Sequence, residues 1–474
     1  MFNNKVIRSS IWNSLGQISN QGINLITTII IARLLSPIEF GQMGIIMVFI
    51  SLFSIFIEGG IGGAVIRKKN VNNYDYSTIF ITNIVSSVFF YIVLIILSTP
   101  ISNFYNDIIL KKIIIITGSI IIINSFQYVQ TLILIRELKF KELTLHTLFA
   151  TTISSFIGIL LAFYNFSIWA LVIMRIINSS LLSITLTYKY GLIKSFTFRK
   201  KSFKEFFKFG INTTLVSFVN MLFVNINQIV ISKWFSLVEN GFYFQSKKLT
   251  DVPSNILSQN YNSVIYSSLS KHQNNFDTFL QKYNYHYIIN ALLIFSLTSY
   301  LYVFSKEIII IILGTKWIGC IIYLKYISLS TLFYTLESYN KVIYKIYNKT
   351  RLLLYLELLK KTIYIIPICI SIYYKNITIL LIGGVISSFI SYYVSLYCYS
   401  TRIINKINLK ELYSNLKLLI ISIVTVVTLE SIKHNITFSL IYYIDFIYKS
   451  TIFLVITLLL SYFILYKKQI KTNE

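Results

Sequence analysis

The sequence is poor in the residues that a water-soluble protein uses to cover its surface. Only 13% of its 474 residues are charged, and Asp and Glu together number 17. With 55% hydrophobic residues and a mean hydropathy of +0.69, the chain has too little charge to cover the surface of two or three soluble domains. The composition therefore excludes an ordinary soluble protein.

Residues and motifs typical of metal sites, disulfides, ATP binding and catalysis are also scarce. The chain has three cysteines and four histidines, and the cysteines lie in apolar segments without CxxC spacing, so we expect neither a disulfide framework nor a metal site. The glycine-rich stretch GGIGG is followed by Ala64, Val65 and Ile66 instead of the lysine and hydroxyl residue of an ATP-binding loop. No nucleophile elbow or Asp-x-Asp motif is present. We therefore expect no metal, no cofactor, no use of ATP and no enzyme.

Long apolar runs, in contrast, recur from one end of the chain to the other. Each is near 20 residues, which is enough to cross a hydrocarbon layer of about 30 Å as a helix. We predict about 14 transmembrane helices, which begin near residues 11, 41, 78, 113, 146, 168, 210, 241, 286, 318, 352, 376, 414 and 449. The segments between them are too short for a folded soluble domain, so the membrane helices themselves must carry the function.

Basic residues greatly outnumber acidic ones, and the net charge is +26. If the N-terminus is cytoplasmic, most Lys and Arg fall in cytoplasmic loops, so the charge bias predicts that both termini are cytoplasmic. The charge then indicates contact with anionic membrane lipids and not with nucleic acid. The basic, aromatic-rich run KSFTFRKKSFKEFFKFG, which lies between two spans, fits this interfacial interpretation.

The sequence contains an internal repeat. IARLLSPIEFG, from Ile31 to Gly41, returns 200 positions later as ISKWFSLVENG, from Ile231 to Gly241. Both copies join the first and second span of a six-helix block, and Asn20 and Asn220 match in the preceding helices. Six spans intervene, so both copies have the same orientation. This predicts two parallel six-helix bundles related by an axis along the membrane normal.

These observations predict an all-α polytopic membrane protein of three parts. Residues 1–195 form an N-terminal six-helix lobe, residues 196–411 form a second six-helix lobe, and residues 412–474 form two additional helices and a cytoplasmic tail. Two facing bundles of this kind are suited to transport by alternating access.

The first copy of the repeat and the residues after it carry a family resemblance. The stretch ARLLSPIEFGQMGIIMVFISLFSIFIEGGIGGAVIRKK resembles the opening of the Wzx-type O-antigen and polysaccharide flippases of the multidrug/oligosaccharidyl-lipid/polysaccharide exporter superfamily. NGFYFQSKKLTDVPSNILSQ and IIIIILGTKWIGCIIYLKYISLS in the second half resemble the same family. The similarity covers roughly residues 8 to 400, and its motifs are structural and not catalytic.

The resemblance implies a multidrug-exporter-like fold and a function. Members carry undecaprenyl-pyrophosphate-linked oligosaccharide, a lipopolysaccharide or other surface-polysaccharide repeat unit, from the cytoplasmic to the periplasmic leaflet of the bacterial inner membrane. Implied partners are this lipid-linked oligosaccharide, membrane lipids, a polysaccharide polymerase and a chain-length regulator. The sugar composition of the cargo does not follow from the resemblance.

The head group of such a cargo carries pyrophosphate charges and many hydroxyls, so cations and amides inside the spans could replace its water. The candidates for substrate binding are Arg175, Asn220, Asn227, Gln228, Lys247, Lys325 and Glu337. Each also has a structural interpretation. Arg175 could pair with a neighbouring helix, the amides could hold helices together, and Lys247 could pair with Asp251 one turn away. Lys325 and Glu337 are too far apart to pair with each other.

Glu58, at the end of the second span, is the candidate for coupling to protons or sodium; its structural alternative is a pair with the cluster Arg67, Lys68 and Lys69. Two rival functions remain open. One is a membrane polymerase or glycosyltransferase acting on the same lipid-linked substrate, although the predicted outer loops are short for it. The other is a drug or peptidoglycan-precursor exporter of the same fold.

Overall fold

The computed structural model describes residues 4–58, 61–191 and 196–402, and every regular element in this part of the chain is a helix. Twelve of these helices are longer than 20 residues: α1 (Asn4–Leu34), α2 (Pro37–Glu58), α3 (Asn73–Tyr105), α4 (Ile108–Arg136), α5 (Phe140–Phe163), α6 (Ile168–Tyr190), α7 (Lys200–Trp234), α8 (Leu237–Ser270), α9 (Phe276–Val303), α10 (Cys320–Ile346), α11 (Thr350–Tyr374) and α12 (Ile377–Arg402). Short helical pieces at Ile61–Arg67, Ser305–Ile308, Ile309–Leu313 and Thr315–Trp317 complete the order.

The predicted all-α architecture is confirmed. Each of the first twelve predicted spans begins inside one of the long helices or within two residues of its start. The two additional helices predicted after residue 412 lie outside the described residues. The helices form because a backbone in hydrocarbon must satisfy its hydrogen bonds within the segment.

Asparagine ends several of these helices. Asn106, Asn165 and Asn348 have φ values of 56°, 59° and 54°, a left-handed conformation that asparagine adopts more readily than most residues. Asp107 then accepts a hydrogen bond from the backbone N–H of Ile109 at 2.9 Å, which caps the start of α4. Residues that end one helix and cap the next within a few positions allow the connections between the long helices to be short.

Eight helices in the described part are long and apolar enough to cross a membrane. They are α2 to α7, α9 and α12, so the protein is a multi-pass membrane protein. The four other long helices, α1, α8, α10 and α11, are more polar. They carry amide side chains in α1 and lysines and carboxylates in the other three. Polar side chains inside a membrane require partners or water, so the polar residues of these helices need partners, as do the polar candidates of α6 and α7.

The chain forms two compact units, Met1–Phe244 and Gln245–Glu474. In the first, isoleucines of α2, α3 and α4 form an apolar core with Ile168 and Val172 of α6. In the second, tyrosines and leucines are the most frequent core residues, and Tyr283, Tyr339 and their neighbours pack between α9, α10 and α12. The predicted lobes, residues 1–195 and 196–411, are defined by the repeat and not by packing, and they stay a prediction.

The basic start of α7 is held in place within the first unit by polar contacts. Lys68 bridges Asp75 at 3.2 Å and Glu205 at 3.0 Å. Burial by itself lowers the pKa of Lys68, but its hydrogen bonds to Glu205 and Asp75 outweigh this effect and raise the pKa above its ordinary value. Phe206 is 3% exposed and lies 5.0 Å beneath the ammonium group. The start of α7 therefore has a fixed position on the first unit.

The two copies of the repeated passage touch each other within the first unit. A Cβ built on Gly41 would lie 1.9 Å from the carbonyl oxygen of Leu237, and a Cβ built on Gly241 would lie 1.9 Å from that of Pro37. Asn240 Nδ2 also donates to the carbonyl oxygen of Gly41 at 2.8 Å. Each glycine thus lets the backbone of the other copy approach, which is the reciprocity expected of symmetry-related helix starts.

Alanine at either glycine should loosen this crossing. Because the added Cβ meets backbone and not a flexible side chain, we expect Gly41→Ala and Gly241→Ala each to cost about 1–3 kcal/mol and to lower the apparent Tm of the detergent-solubilised protein by about 2–6 °C.

The matched control for this crossing is Gly22→Ala in α1, where an added Cβ has nothing within 4 Å. It should leave the Tm unchanged or raise it slightly, because alanine favours the helix. Equal Tm values for all three variants would contradict the crossing.

Candidate functional site

Arg175 lies on the inner face of α6. Val172 and Ile176 pack against the apolar core of α2, α3 and α4. On the other side, Met174 lies against Gly158 of α5, and Asn178 donates to Thr151 and Ser154 of α5 at 3.3 and 3.2 Å. At 100° per residue, Arg175 projects between these two packed faces, away from the exposed residues Ile184 and Tyr188.

Arg175 as a whole residue is half-buried, and no hydrogen-bond, ion-pair or aromatic partner for its guanidinium exists within the described residues. The predicted structural alternative, a pair with a neighbouring helix, is therefore not found in this part of the chain. An arginine that projects into the bundle without a partner is costly unless water or a ligand solvates it. Its planar fork of N–H donors suits a phosphate.

The amides of α7 have different surroundings. Asn220 is exposed, Asn227 donates to the hydroxyl of Tyr243 at 3.1 Å, and Gln228 is 6% exposed. Gln228 Oε1 lies 3.6 Å from the position of a Cβ on Gly44, beside Asn240. Asn227 and Gln228 thus help to pack α2, α7 and the start of α8, whereas Asn220 lies on the open surface of the helix.

The predicted cations of the second unit have electrostatic neighbours. Lys247 lies close enough to Asp251, one turn along α8, for their opposite charges to attract each other. Lys325 of α10 lies with its ammonium 5.2 Å from the ring centre of Tyr302, a cation–π geometry. Lys325 and Glu337 do not contact each other.

Glu337 of α10 is the centre of a buried ion-pair network. It is 1% exposed, and its two carboxylate oxygens lie 3.0 Å from Lys341 and 2.5 Å from Lys360 of α11. Lys341 also pairs with Glu357, and both lysines lie over the ring of Tyr334. Two carboxylates and two ammonium groups therefore neutralise each other between α10 and α11, which gives Glu337 a structural role.

The sequence interpretation missed Lys341, Glu357 and Lys360. The spacing of Glu337 and Lys341, one helical turn, could have indicated the first pair. The pair with Lys360 joins two helices, and only the packing of α10 beside α11 reveals it. Glu58, the predicted coupling residue, ends α2, but its side chain lies outside the described residues. Lys68, one of its predicted alternative partners, pairs with Asp75 and Glu205.

Removing one charged member of this network should destabilise the protein more than removing two members of opposite charge. Glu337→Gln leaves Lys360 buried without its carboxylate and should cost about 3–5 kcal/mol. Adding Lys360→Met to this variant removes the unpaired charge, so the double variant should have a higher Tm than either single variant.

The exposed pair Glu137 and Lys139, 2.7 Å apart, is the control, and Glu137→Gln should leave the Tm unchanged. Additive losses at positions 337 and 360 would show that the two groups do not interact.

Comparison with solved structures places this fold among transporters. The lipid II flippase MurJ, in an inward closed conformation, has a TM-score of 0.78 at 18% identity and matches over 98% of this chain and 100% of that one. An inward-facing MATE family transporter of the MOP superfamily has a TM-score of 0.55 at 12% identity, with 81% and 97% covered. The fold is thus multidrug-exporter-like.

The family model of the polysaccharide biosynthesis proteins matches residues 30–322, and the chain belongs to this family. Similar relatives include an uncharacterized membrane protein in the cps region of Klebsiella pneumoniae, at 22% identity over 66% of this chain and 65% of that one. The succinoglycan biosynthesis transport protein ExoT of Rhizobium meliloti is 18% identical over 66% and 63%. The lipopolysaccharide biosynthesis protein WzxC of Escherichia coli is 20% identical over 66% and 64%.

These alignments span a little under two thirds of each relative's length.

Proposed function

We propose that this protein is a flippase, which moves undecaprenyl-pyrophosphate-linked oligosaccharide from the cytoplasmic to the periplasmic leaflet by alternating access. The observation that carries the proposal is Arg175, a cation on the inner face of a membrane helix with no partner in the described residues. Membership of the polysaccharide biosynthesis family supports the class of cargo, and the fold supports transport.

The names of relatives point in the same direction. One is a transport protein of succinoglycan biosynthesis, and one is a protein of lipopolysaccharide biosynthesis. We therefore propose a non-enzymatic transporter in the bacterial inner membrane with both termini cytoplasmic. Its partners would be membrane lipids, a polysaccharide polymerase and a chain-length regulator. Coupling to protons or sodium, without a cofactor, is part of the same proposal.

The mechanism requires the cargo's pyrophosphate to leave water. Even a singly charged ion of carboxylate size pays on the order of 20 kcal/mol for transfer into a low-dielectric medium by an idealised estimate, so the charge of the pyrophosphate must meet a fixed cation on the way. Arg175 can donate two parallel hydrogen bonds to phosphate oxygens, and it bears a charge that no carboxylate of the described chain has neutralised. Cargo binding would supply the missing partner.

Alternating access requires a contact that can open. With a cytoplasmic N-terminus, the turns before α2 and α8 are both periplasmic, and the crossing of Gly41 and Gly241 holds these helix starts together at that side. Separating them would break the hydrogen bond from Asn240 to the carbonyl oxygen of Gly41. In this proposal the crossing opens and closes during transport.

Replacing Arg175 tests the site. Arg175→Ala should abolish surface polysaccharide in the host while the protein stays at normal abundance in the membrane, because the cargo loses its phosphate contact. Arg175→Lys should restore part of the polymer, since the charge remains but the planar fork is lost. The readout is polysaccharide on gels beside an immunoblot of membranes.

Arg8, an exposed arginine near the start of α1, provides the control, and Arg8→Ala should give normal polymer. Normal polymer in Arg175→Ala would remove Arg175 from the site.

Deleting the gene tests the function itself. Without the flippase, complete lipid-linked repeat units should accumulate on the cytoplasmic face of the membrane, where a membrane-impermeant sugar-oxidising reagent cannot reach them in intact spheroplasts. Units that accumulate on the outer face would indicate a polymerase. A host with normal polymer but greater drug sensitivity would indicate a drug exporter.

A further inference from the structure

Helix α1 carries a face of amides that no other helix of the described chain uses. Asn13, Gln17, Asn20 and Asn24 follow each other at intervals of four, three and four residues, which places them on one face. Between residues 9 and 32, α1 contains no charged residue. We call Asn13, Gln17, Asn20, Gln21 and Asn24 the amide face.

The amide face points away from the exposed apolar side of the helix. Ile11, Leu15, Ile18 and Ile26 are 54%, 52%, 38% and 60% exposed, and each is two residues from an amide. At 100° per residue this separation is about 200°. Because apolar exposed residues of a membrane helix face lipid, the amide face points away from lipid.

The amide face is also different from the face through which α1 packs against its neighbouring helix. Among the described helices, α1 packs chiefly against α5, through Trp12, whose carbonyl accepts from Thr144 at 3.3 Å, and Gly16, where a Cβ would lie 2.3 Å from Thr144 Oγ1. Ser9 donates to the carbonyl of Leu138 at 2.9 Å on the same side. The amide face is rotated away from these contacts.

The amides bond only within their own helix. Gln17 donates to Asn13 at 3.4 Å, and Asn24 donates to the carbonyl and side-chain oxygens of Asn20 at 2.9 and 3.3 Å. Gln21 Oε1 is buried and has no hydrogen-bond partner. In the described chain these five side chains make no hydrogen bond to another helix, so the usual structural explanation, interhelical bonding, does not account for them.

We propose that the amide face of α1 is the site that binds the sugar part of the cargo; the inference rests on the proposed flippase function. An amide offers donors and an acceptor side by side, which matches neighbouring hydroxyls, whereas an uncharged face has nothing to neutralise a phosphate. Asn13 to Asn24 extends about 16 Å along the helix, which suits an oligosaccharide better than one sugar ring.

The repeat keeps one amide of this face in both copies. Asn20 of α1 corresponds to Asn220 of α7, which is exposed. In contrast, Asn227 and Gln228, which take part in helix packing, correspond to Thr27 and Thr28.

Binding measurements on the full chain in lipid nanodiscs test the proposal with two probes. The first is the lipid-linked saccharide fraction extracted from the deletion strain, and the second is undecaprenyl pyrophosphate, which lacks sugar. Asn20→Leu with Asn24→Leu keeps the branched shape of each side chain but removes its hydrogen bonds. We expect it to weaken saccharide binding about 10-fold and to leave binding of undecaprenyl pyrophosphate unchanged.

Three further variants make the result specific. Asn13→Leu with Gln17→Met repeats the test at the other end of the amide face. Leu15→Ala with Ile26→Ala, on the opposite face, should bind both probes like the parent. Arg175→Ala should weaken both probes, because it removes the phosphate contact.

The outcomes separate the two proposals. Undiminished saccharide binding in both amide variants would overturn the sugar site while leaving the flippase intact, as would an equal loss of both probes in the amide variants with the opposite-face control unaffected. If the parent binds neither probe, the proposed function fails and the sugar site fails with it.

Discussion

The cost of a polar group in hydrocarbon is the constraint on which this structure depends. Backbone N–H and C=O groups avoid this cost by hydrogen-bonding to each other in helices, which is why the regular elements of the described chain are all helices. Side chains have fewer solutions, and the protein uses three of them. Carboxylates and ammonium groups neutralise each other around Glu337, the amides of α1 bond along their own helix, and Arg175 stands alone among the described residues.

These three arrangements differ in the charges and hydrogen-bonding groups that they leave available to a ligand. The network of Glu337 pairs each of its charges with an opposite charge, so it joins α10 to α11 and leaves no unpaired charge for a ligand. The amides of α1 use only part of their capacity, because a side-chain amide has two donors and an acceptor with two lone pairs. Arg175 uses none of its donors within the described chain.

Much of the fold was predictable because it follows from local properties of the sequence. Apolar runs near 20 residues fixed the number and position of the first twelve helices, and the repeat indicated related halves. Partners across helices were not predictable. The sequence shows that Glu337 needs a cation. Its pair with Lys341 follows from helical periodicity, because the two residues are one turn apart. Its pair with Lys360 does not, because it depends on how α11 packs beside α10. In the same way, no local pattern shows that Asn227 meets Tyr243 while Asn220 stays exposed.

The repeated passage shows how a local motif and a tertiary contact can share one cause. Glycine recurs at positions 41 and 241 because each copy must approach the backbone of the other, and a side chain at either position would collide with a carbonyl oxygen at 1.9 Å. A contact made by two related surfaces needs the same residue twice, since each copy is the partner of the other. Asn240 has no counterpart in the first copy, where Phe40 stands, so its hydrogen bond to Gly41 breaks the symmetry. The crossing thus combines a symmetric close approach with one directional bond, and this bond makes the two helix starts chemically distinct.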